Sequence, residues 1–107
     1  MHRTKVQKKY VGIDNETNGG MTDTAKIIRD AWIFGFIPET ETCEGWLAAG
    51  LQTLWDQTSA EWEKYGYLAS NLPEDLRERF DRIQAAALER AKASGEWDPE
   101  HDVNDEG

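Results

Sequence analysis

Residues 71–95 read NLPEDLRERFDRIQAAALERAKASG, and this stretch decides the fold class of the chain. Pro73 suits the first turn of a helix, and Gly95 is a typical residue at a helix C-terminus. Five apolar residues of the stretch recur at regular spacing: Leu76, Phe80, Ile83, Ala87 and Ala91. Their steps of three or four residues define one face of an α-helix. The stretch therefore predicts a helix that ends at about Ser94.

The polar residues of this helix predict its start and its solvent face. Asn71, followed three residues later by Glu74, resembles a capping box. The helix also contains opposite charges four residues apart, and each such ion pair stabilises a helix by only about 0.2–0.5 kcal/mol. These pairs are Asp75 with Arg79 and Glu78 with Arg82. Because acids interleave with the basic residues along the whole helix, we predict a charge-balanced solvent face and no direct binding of nucleic acid.

Working outward, the preceding sequence predicts an earlier helix. Thr22 to Thr24 can cap free N–H groups at a helix start. An apolar stripe with helical spacing follows, formed by Ile27, Ile28, Ala31, Trp32 and Gly35. Pro38 disfavours the α conformation of the residue before it, so we expect the helix to end there.

A second helix is predicted from Cys43 to about Tyr67. One apolar face is formed by Leu47, Leu51, Leu54, Thr58, Trp62 and Tyr65. Trp46 and Trp55 lie beside this face and widen it. With the other two segments, residues 22–95 are predicted to form one all-α domain, a small bundle of three to four helices.

The two ends of the chain predict looser structure. Residues 1–21 are predicted to be a flexible basic arm, with a short edge strand over Tyr10–Ile13 as the alternative. Residues 96–107 contain six acids and no Lys or Arg, which is typical of a solvated, disordered acidic tail. Trp97 is a candidate to anchor the start of this tail.

Size and composition limit the class of protein. A chain of 107 residues forms one domain at most. A single cysteine, Cys43, excludes an internal disulfide and favours a reducing compartment, most simply the cytoplasm. No apolar run approaches the roughly 20 residues that a membrane-spanning helix needs. We expect no membrane partner.

Residue patterns that carry chemistry are sparse. The two histidines, His2 and His101, lie in the predicted loose ends without partners at metal-ligand spacing. Cys43 has no histidine base within the predicted helical domain. Acids are so abundant that carboxylate pairs arise by chance. We therefore predict no catalytic residue, no metal ligand and no cofactor.

The distribution of charge is the informative feature. The formal net charge is −9; residues 1–20 carry +2, from four Lys/Arg against two acids, so the rest carries −11. From Asp30 to Asp75 there are nine acids and one basic residue, Lys64. Such a field steers a protein towards basic surfaces. The predicted partner-binding residues are Glu39, Glu41, Glu44, Asp56, Glu61, Glu63, Trp55 and Tyr67.

Three interpretations of this acidic, aromatic segment stay open. The aromatics could form the core while the acids keep the protein solvated. The acids could instead replace phosphates on a basic surface of a nucleic-acid-binding complex, with Trp and Tyr as anchors. Finally, the chain could be a helical accessory or dimerisation subunit of a larger bacterial assembly, including a homodimer.

The segment Asp30–Pro38, DAWIFGFIP, together with the acidic, aromatic residues after it, resembles small acidic anti-CRISPR proteins of phages and mobile elements. The similarity is to inhibitors of the type I-F surveillance complex and covers mainly residues 22–95. It implies a non-enzymatic inhibitor that acts as a DNA mimic, binds Cas subunits and blocks target DNA. The basic N-terminal residues depart from a uniformly acidic inhibitor. The resemblance transfers no binding residue.

Overall fold

The computed structural model describes residues 8–16 and 18–95. Three α-helices form the domain: α1 (Asp23–Phe34), α2 (Ala48–Glu63) and α3 (Glu74–Ser94). Short 3-10 turns lie at Ile13–Asn15, Asn18–Gly20 and Ala69–Asn71, and the described residues contain no strand. The predicted all-α class is therefore confirmed. Within the described residues, no helix has both the length and the apolar character to cross a membrane.

Helix α1 begins where the sequence predicted and ends earlier. The Thr22 hydroxyl caps it by accepting a hydrogen bond from the Ala25 N–H at 3.1 Å. Gly35 ends it, in a left-handed conformation with φ of 81°. The Gly35 N–H donates hydrogen bonds to carbonyls in the last turn of the helix. The chain therefore leaves the helix before it reaches Pro38. The prediction that Pro38 stops the helix was wrong because glycine reverses the backbone first.

Helix α1 lies at the centre and packs against both α2 and α3. Its buried side chains are Ala25, Ile28, Arg29, Asp30, Ala31 and Ile33. At its C-terminal end, the Phe34 ring meets the edge of Trp62 of α2, with centroids 5.3 Å apart. Trp62 in turn meets Phe80 of α3, with centroids 6.1 Å apart. Aromatic edges therefore join all three helices at this end.

Helix α2 starts five residues later than predicted. Cys43 and Gly45 have positive φ angles of 64° and 85°, which are incompatible with a helix at that point. The backbone there pairs with the N-terminal segment instead. The Tyr10 N–H donates to the Trp46 carbonyl at 2.8 Å, and the Gly45 N–H donates to the Tyr10 carbonyl at 2.7 Å. This pairing holds residues 41–47 as a loop.

The N-terminal segment is part of the domain as far as the structure describes it. Ile13 is 2% exposed and belongs to the same apolar cluster as Ile28 of α1. Arg90 of α3 bonds the Ile13 carbonyl and the Asp14 carboxylate. The predicted flexible arm over 1–21 is therefore wrong for residues 10–16, because Ile13 completes the core. The predicted acidic tail, 96–107, with Trp97, lies outside the described residues.

Helix α3 has the predicted bounds but different polar contacts. It ends at Gly95, whose φ is 74°. Pro73 occupies the N-cap position without a side-chain cap bond, and Asn71 donates to the Tyr65 carbonyl instead, so no capping box forms. The predicted arginine pairs are also replaced. Arg79 donates to the Ile33 carbonyl rather than to Asp75, and Arg82 donates to the Glu39 carboxylate rather than to Glu78.

Candidate partner-binding surface

The acids predicted to bind a partner divide according to what surrounds them. Glu39 lies in the loop after α1 and is held by α3. Its two carboxylate oxygens each accept a hydrogen bond from the Arg82 guanidinium at 3.0 Å. This hydrogen bonding holds the pKa of Glu39 below its usual range. Because both side chains stay largely exposed, the pair adds little stability, but it neutralises the charge of Glu39 locally.

Two further predicted acids shape the loop between α1 and α2. The Glu41 carboxylate accepts a hydrogen bond from the Cys43 N–H at 2.9 Å, and its side chain is half-buried. Glu44 is exposed and lies close to the backbone of Gly12. A Cβ added to Gly12 would lie only 3.0 Å from the Glu44 Cβ. Glu41 therefore serves the loop, whereas Glu44 stays open to solvent beside the N-terminal segment.

The remaining predicted acids lie on α2. Glu61 is half-buried and forms an ion pair with Lys64 at 3.0 Å. Asp56 is exposed and accepts a hydrogen bond from the Gln52 amide at 3.1 Å, and Glu63 is exposed. Glu63 follows Asp56 by seven positions, which places them on the same side of the helix, two turns apart. The helix contains three acids and no basic residue.

The two predicted aromatic anchors are open to solvent. Trp55 is 49% exposed and Tyr67 is 61% exposed. The Tyr67 hydroxyl donates to the Ser59 carbonyl at 3.3 Å, which draws this ring back along α2. Ser59 lies one turn after Trp55. The two rings therefore flank the same part of the helix.

Five of the eight predicted residues lie on α2 and the turn after it, and four of these, Trp55, Asp56, Glu63 and Tyr67, are exposed. We call these four residues the α2 face. The other four are divided between the loop and internal ion pairs. Sequence reasoning missed Leu68, which is 56% exposed and follows Tyr67 directly. The sequence feature that could have indicated Leu68 is the position of an apolar residue just after the end of a predicted helix.

Other aromatics in the acidic segment belong to the core. Trp62 is 9% exposed, and its indole N–H donates to the Asp30 carboxylate at 3.2 Å. Tyr65 stacks on Phe34, with centroids 6.3 Å apart. Trp46 packs against the apolar cluster around Ile28. The segment therefore combines core aromatics with exposed ones, which its residue pattern alone did not separate.

The Cys43 thiol is also fully buried. Burial, together with the nearby Glu41 carboxylate, raises the pKa of the thiol to about 11. The thiolate is the nucleophilic form of cysteine, so at neutral pH this side chain stays protonated. Among the described residues, no group of three or more His, Cys, Asp or Glu side chains could hold a metal ion.

Sequence reasoning also missed a cavity of about 180 Å³ between the N-terminal segment, α1 and α3. Three arginines line it, Arg29, Arg82 and Arg90, against one acid, Glu39. Most of the remaining lining is apolar, including Ile83. The available signal was Arg29, a charged residue adjacent to the apolar stripe of the first helix.

Comparisons of this chain with protein families, with curated protein sequences and with solved structures find no match.

Proposed function

We propose that this chain is a non-enzymatic acidic inhibitor whose α2 face binds a basic surface of a nucleic-acid-handling protein complex. A type I-F CRISPR surveillance complex, with its Cas subunits, is the proposed partner, and blocked binding of target DNA is the proposed effect. The site of action is the cytoplasm. The protein itself binds no nucleic acid in this proposal.

One observation carries the proposal. Helix α2 and the turn after it expose two aromatic rings beside two acids, and the helix itself has no basic residue. Aromatic side chains supply much of the binding energy in protein interfaces, and charges supply steering and orientation. An exposed surface that combines both is suited to a basic partner with apolar pockets between its charges.

The spacing of charge on α2 supports this role. Asp56 and Glu63 are about 10.5 Å apart along the helix axis at 1.5 Å per residue. One strand of DNA carries roughly three phosphates over that length, at about 3.4 Å per charge. Two exposed carboxylates therefore approach, but do not equal, the charge density of the strand. Trp55 and Tyr67 must then contribute a large share of the affinity.

Charge reversal on the α2 face tests the proposal. We expect Asp56→Lys combined with Glu63→Lys to weaken binding to the surveillance complex at least tenfold at low salt. Isothermal titration calorimetry measures the affinity, and a gel-shift assay measures whether target DNA binding recovers. Binding by wild type should weaken steeply as salt is raised, since screening removes exposed charge interactions.

The matched control places the same charge change on α3. Glu78→Lys combined with Glu89→Lys also reverses two exposed acids. If this control weakens binding as much as the α2 variant, net charge rather than the α2 face is responsible. Unchanged binding by the α2 variant contradicts the proposal directly.

A second function is favoured by a different observation. An apolar groove lies beside the N-terminal segment, lined by Val11, Trp46 and Leu51, with Lys8 and Lys9 at its edge. Val11 is 53% exposed. This groove supports a helical accessory or dimerisation subunit. Sedimentation equilibrium of this chain alone tests for a dimer, and an apolar dimer should persist at high salt. Binding of the acidic α2 face to its partner should instead weaken as salt is raised.

A further inference from the structure

Arg29 is an unusual residue for its surroundings. It is 7% exposed, yet the ion pairs formed within residues 8–16 and 18–95 do not include it. Its guanidinium donates to the Gly20 carbonyl at 2.8 Å and contacts the Met21 sulfur at 3.9 Å. Its Nε is buried without a hydrogen-bond partner. Burial lowers the pKa of Arg29 below its ordinary value, and the nearby carboxylates of Asp30 and Glu16 only partly oppose this shift.

The cavity beside Arg29 concentrates positive charge on an acidic protein. Its lining holds three arginines and one glutamate, a formal +2, whereas the whole chain carries −9. The acids that hold the other two arginines, Glu39 and Asp14, are themselves 41% and 62% exposed. Ion pairs at that exposure are weak, so another anion can replace these carboxylates.

The rest of the lining is mainly apolar. Ile83, Ala86 and Ala87 of α3 lie along it, and Trp32 of α1 also contributes. The cavity volume is about 180 Å³. An apolar cavity of roughly 150 Å³ is large enough to hold benzene. The space therefore accommodates one ring or a short aliphatic chain beside the charged groups.

From these features we infer that the cavity binds a small organic anion, in which an apolar body of one ring or similar size carries a carboxylate or a related acidic group. The anion takes its charge partners from the arginines, and its body lies against the alanine and isoleucine side chains of α3. An inorganic anion would leave the apolar lining uncovered, and a neutral ring would leave the arginines without a new partner. The site is separate from the α2 face.

The test uses 4-fluorobenzoate as the probe and 4-fluorobenzamide as its neutral counterpart of the same shape. Each is titrated into the full chain while amide shifts are followed by ¹H–¹⁵N NMR. We expect 4-fluorobenzoate to bind in the millimolar range and to shift the amides of Ile83, Ala86 and Ala87. The benzamide should bind at least fivefold more weakly, because it has no charge to pair with arginine.

Variants with opposite expected effects sharpen the test. Arg82→Gln and Arg90→Gln should each weaken benzoate binding about three- to tenfold. Glu39→Gln should strengthen it about threefold, because it removes the one acid in the lining. Arg77→Gln is the matched control: it removes an arginine of the same helix that pairs with Asp81 outside the cavity. It should leave binding unchanged.

The inference would be overturned by equal binding of benzoate and benzamide, by a loss in Arg77→Gln as large as in Arg82→Gln, or by shifts confined to the groove at Lys8–Val11. Absence of any benzoate-induced shift would overturn it as well. Ala87→Leu adds a steric test, since a larger side chain should fill the cavity and abolish binding. If that variant does not fold, the Arg82 and Glu39 variants still decide the outcome.

Discussion

Two charged neighbours, Arg29 and Asp30, lie buried in the middle of α1 and point to different parts of the molecule. The Asp30 carboxylate accepts hydrogen bonds from Trp62 and Lys26, both at 3.2 Å. Arg29 instead bonds the backbone at Gly20. Each has one buried polar atom without a partner. The pair fixes how α1 rotates between its neighbours, because turning the helix would break the Asp30–Trp62 and Arg29–Gly20 bonds.

Asp30 makes stability depend on pH. Burial raises the pKa of Asp30 above its ordinary value, and hydrogen bonds from Lys26 and Trp62 and the charge of Arg29 only partly oppose this. The folded state therefore binds this proton more tightly than the unfolded state does. Its stabilising contribution is complete below the ordinary aspartate pKa, about 3.9, and is lost as pH rises through the raised pKa.

We predict that Asp30→Asn removes this dependence, since the amide does not titrate. The free energy of unfolding of wild type minus that of Asp30→Asn should fall as pH rises from about 4 towards 7. Urea denaturation at several pH values measures it. Asp56→Asn, at an exposed position, controls for the loss of one negative charge. A difference that stays constant with pH would contradict the assignment to Asp30.

Among the secondary-structure elements, the end of α1 depends on one glycine. Gly35 has a φ of 81°, and an added Cβ would meet nothing within 4 Å. Gly35→Ala should therefore destabilise the fold by about 1–2 kcal/mol through backbone strain alone, which chemical denaturation measures. Gly50 lies inside α2 without a positive φ, so its change to alanine lacks that backbone strain, although its added Cβ would lie 3.1 Å from the Trp46 ring, which must shift to make room. A neutral Gly35→Ala variant would show that α1 can end differently.

The helices differ in how far sequence could predict them. Pro73 and Gly95 are local signals at the two ends of α3, and they place it well. The start of α2 depends instead on hydrogen bonds between Tyr10 and the Gly45–Trp46 backbone. No local pattern marks such a pairing between distant residues. The helix period over Cys43–Leu47 was therefore misread as helix.

At the scale of the whole molecule, the N-terminal segment closes the core. Ile13 is 2% exposed, whereas its neighbour Val11 is 53% exposed. We predict that Ile13→Ala lowers the free energy of unfolding by about 2–5 kcal/mol, as expected for a buried isoleucine. Val11→Ala should change it by less than about 0.5 kcal/mol. Similar small effects in both variants would mean that this segment does not support the domain.

The contacts within the candidate sites were also only partly predictable from the sequence. Of the three acids of α2, which the sequence predicted as partner-binding residues, Asp56 and Glu63 are exposed and Glu61 is half-buried. The sequence could not foresee that Glu39 pairs with Arg82, or that Arg29 and Arg90 share a cavity. These contacts join residues that are distant in the chain. They follow from the packing of α1 against α3, which composition and spacing do not specify.

The contact between Arg90 and Asp14 spans 76 residues of chain. During synthesis on the ribosome, the N-terminal segment is made well before its partner in α3, which follows α1 and α2 in the chain. At about 5–20 residues per second, the segment waits roughly 4–15 s before it can pack. Over that interval Ile13 and the inner side of α1 are open to chaperones and to other nascent chains. Completion of this fold therefore waits until α3 has been synthesised.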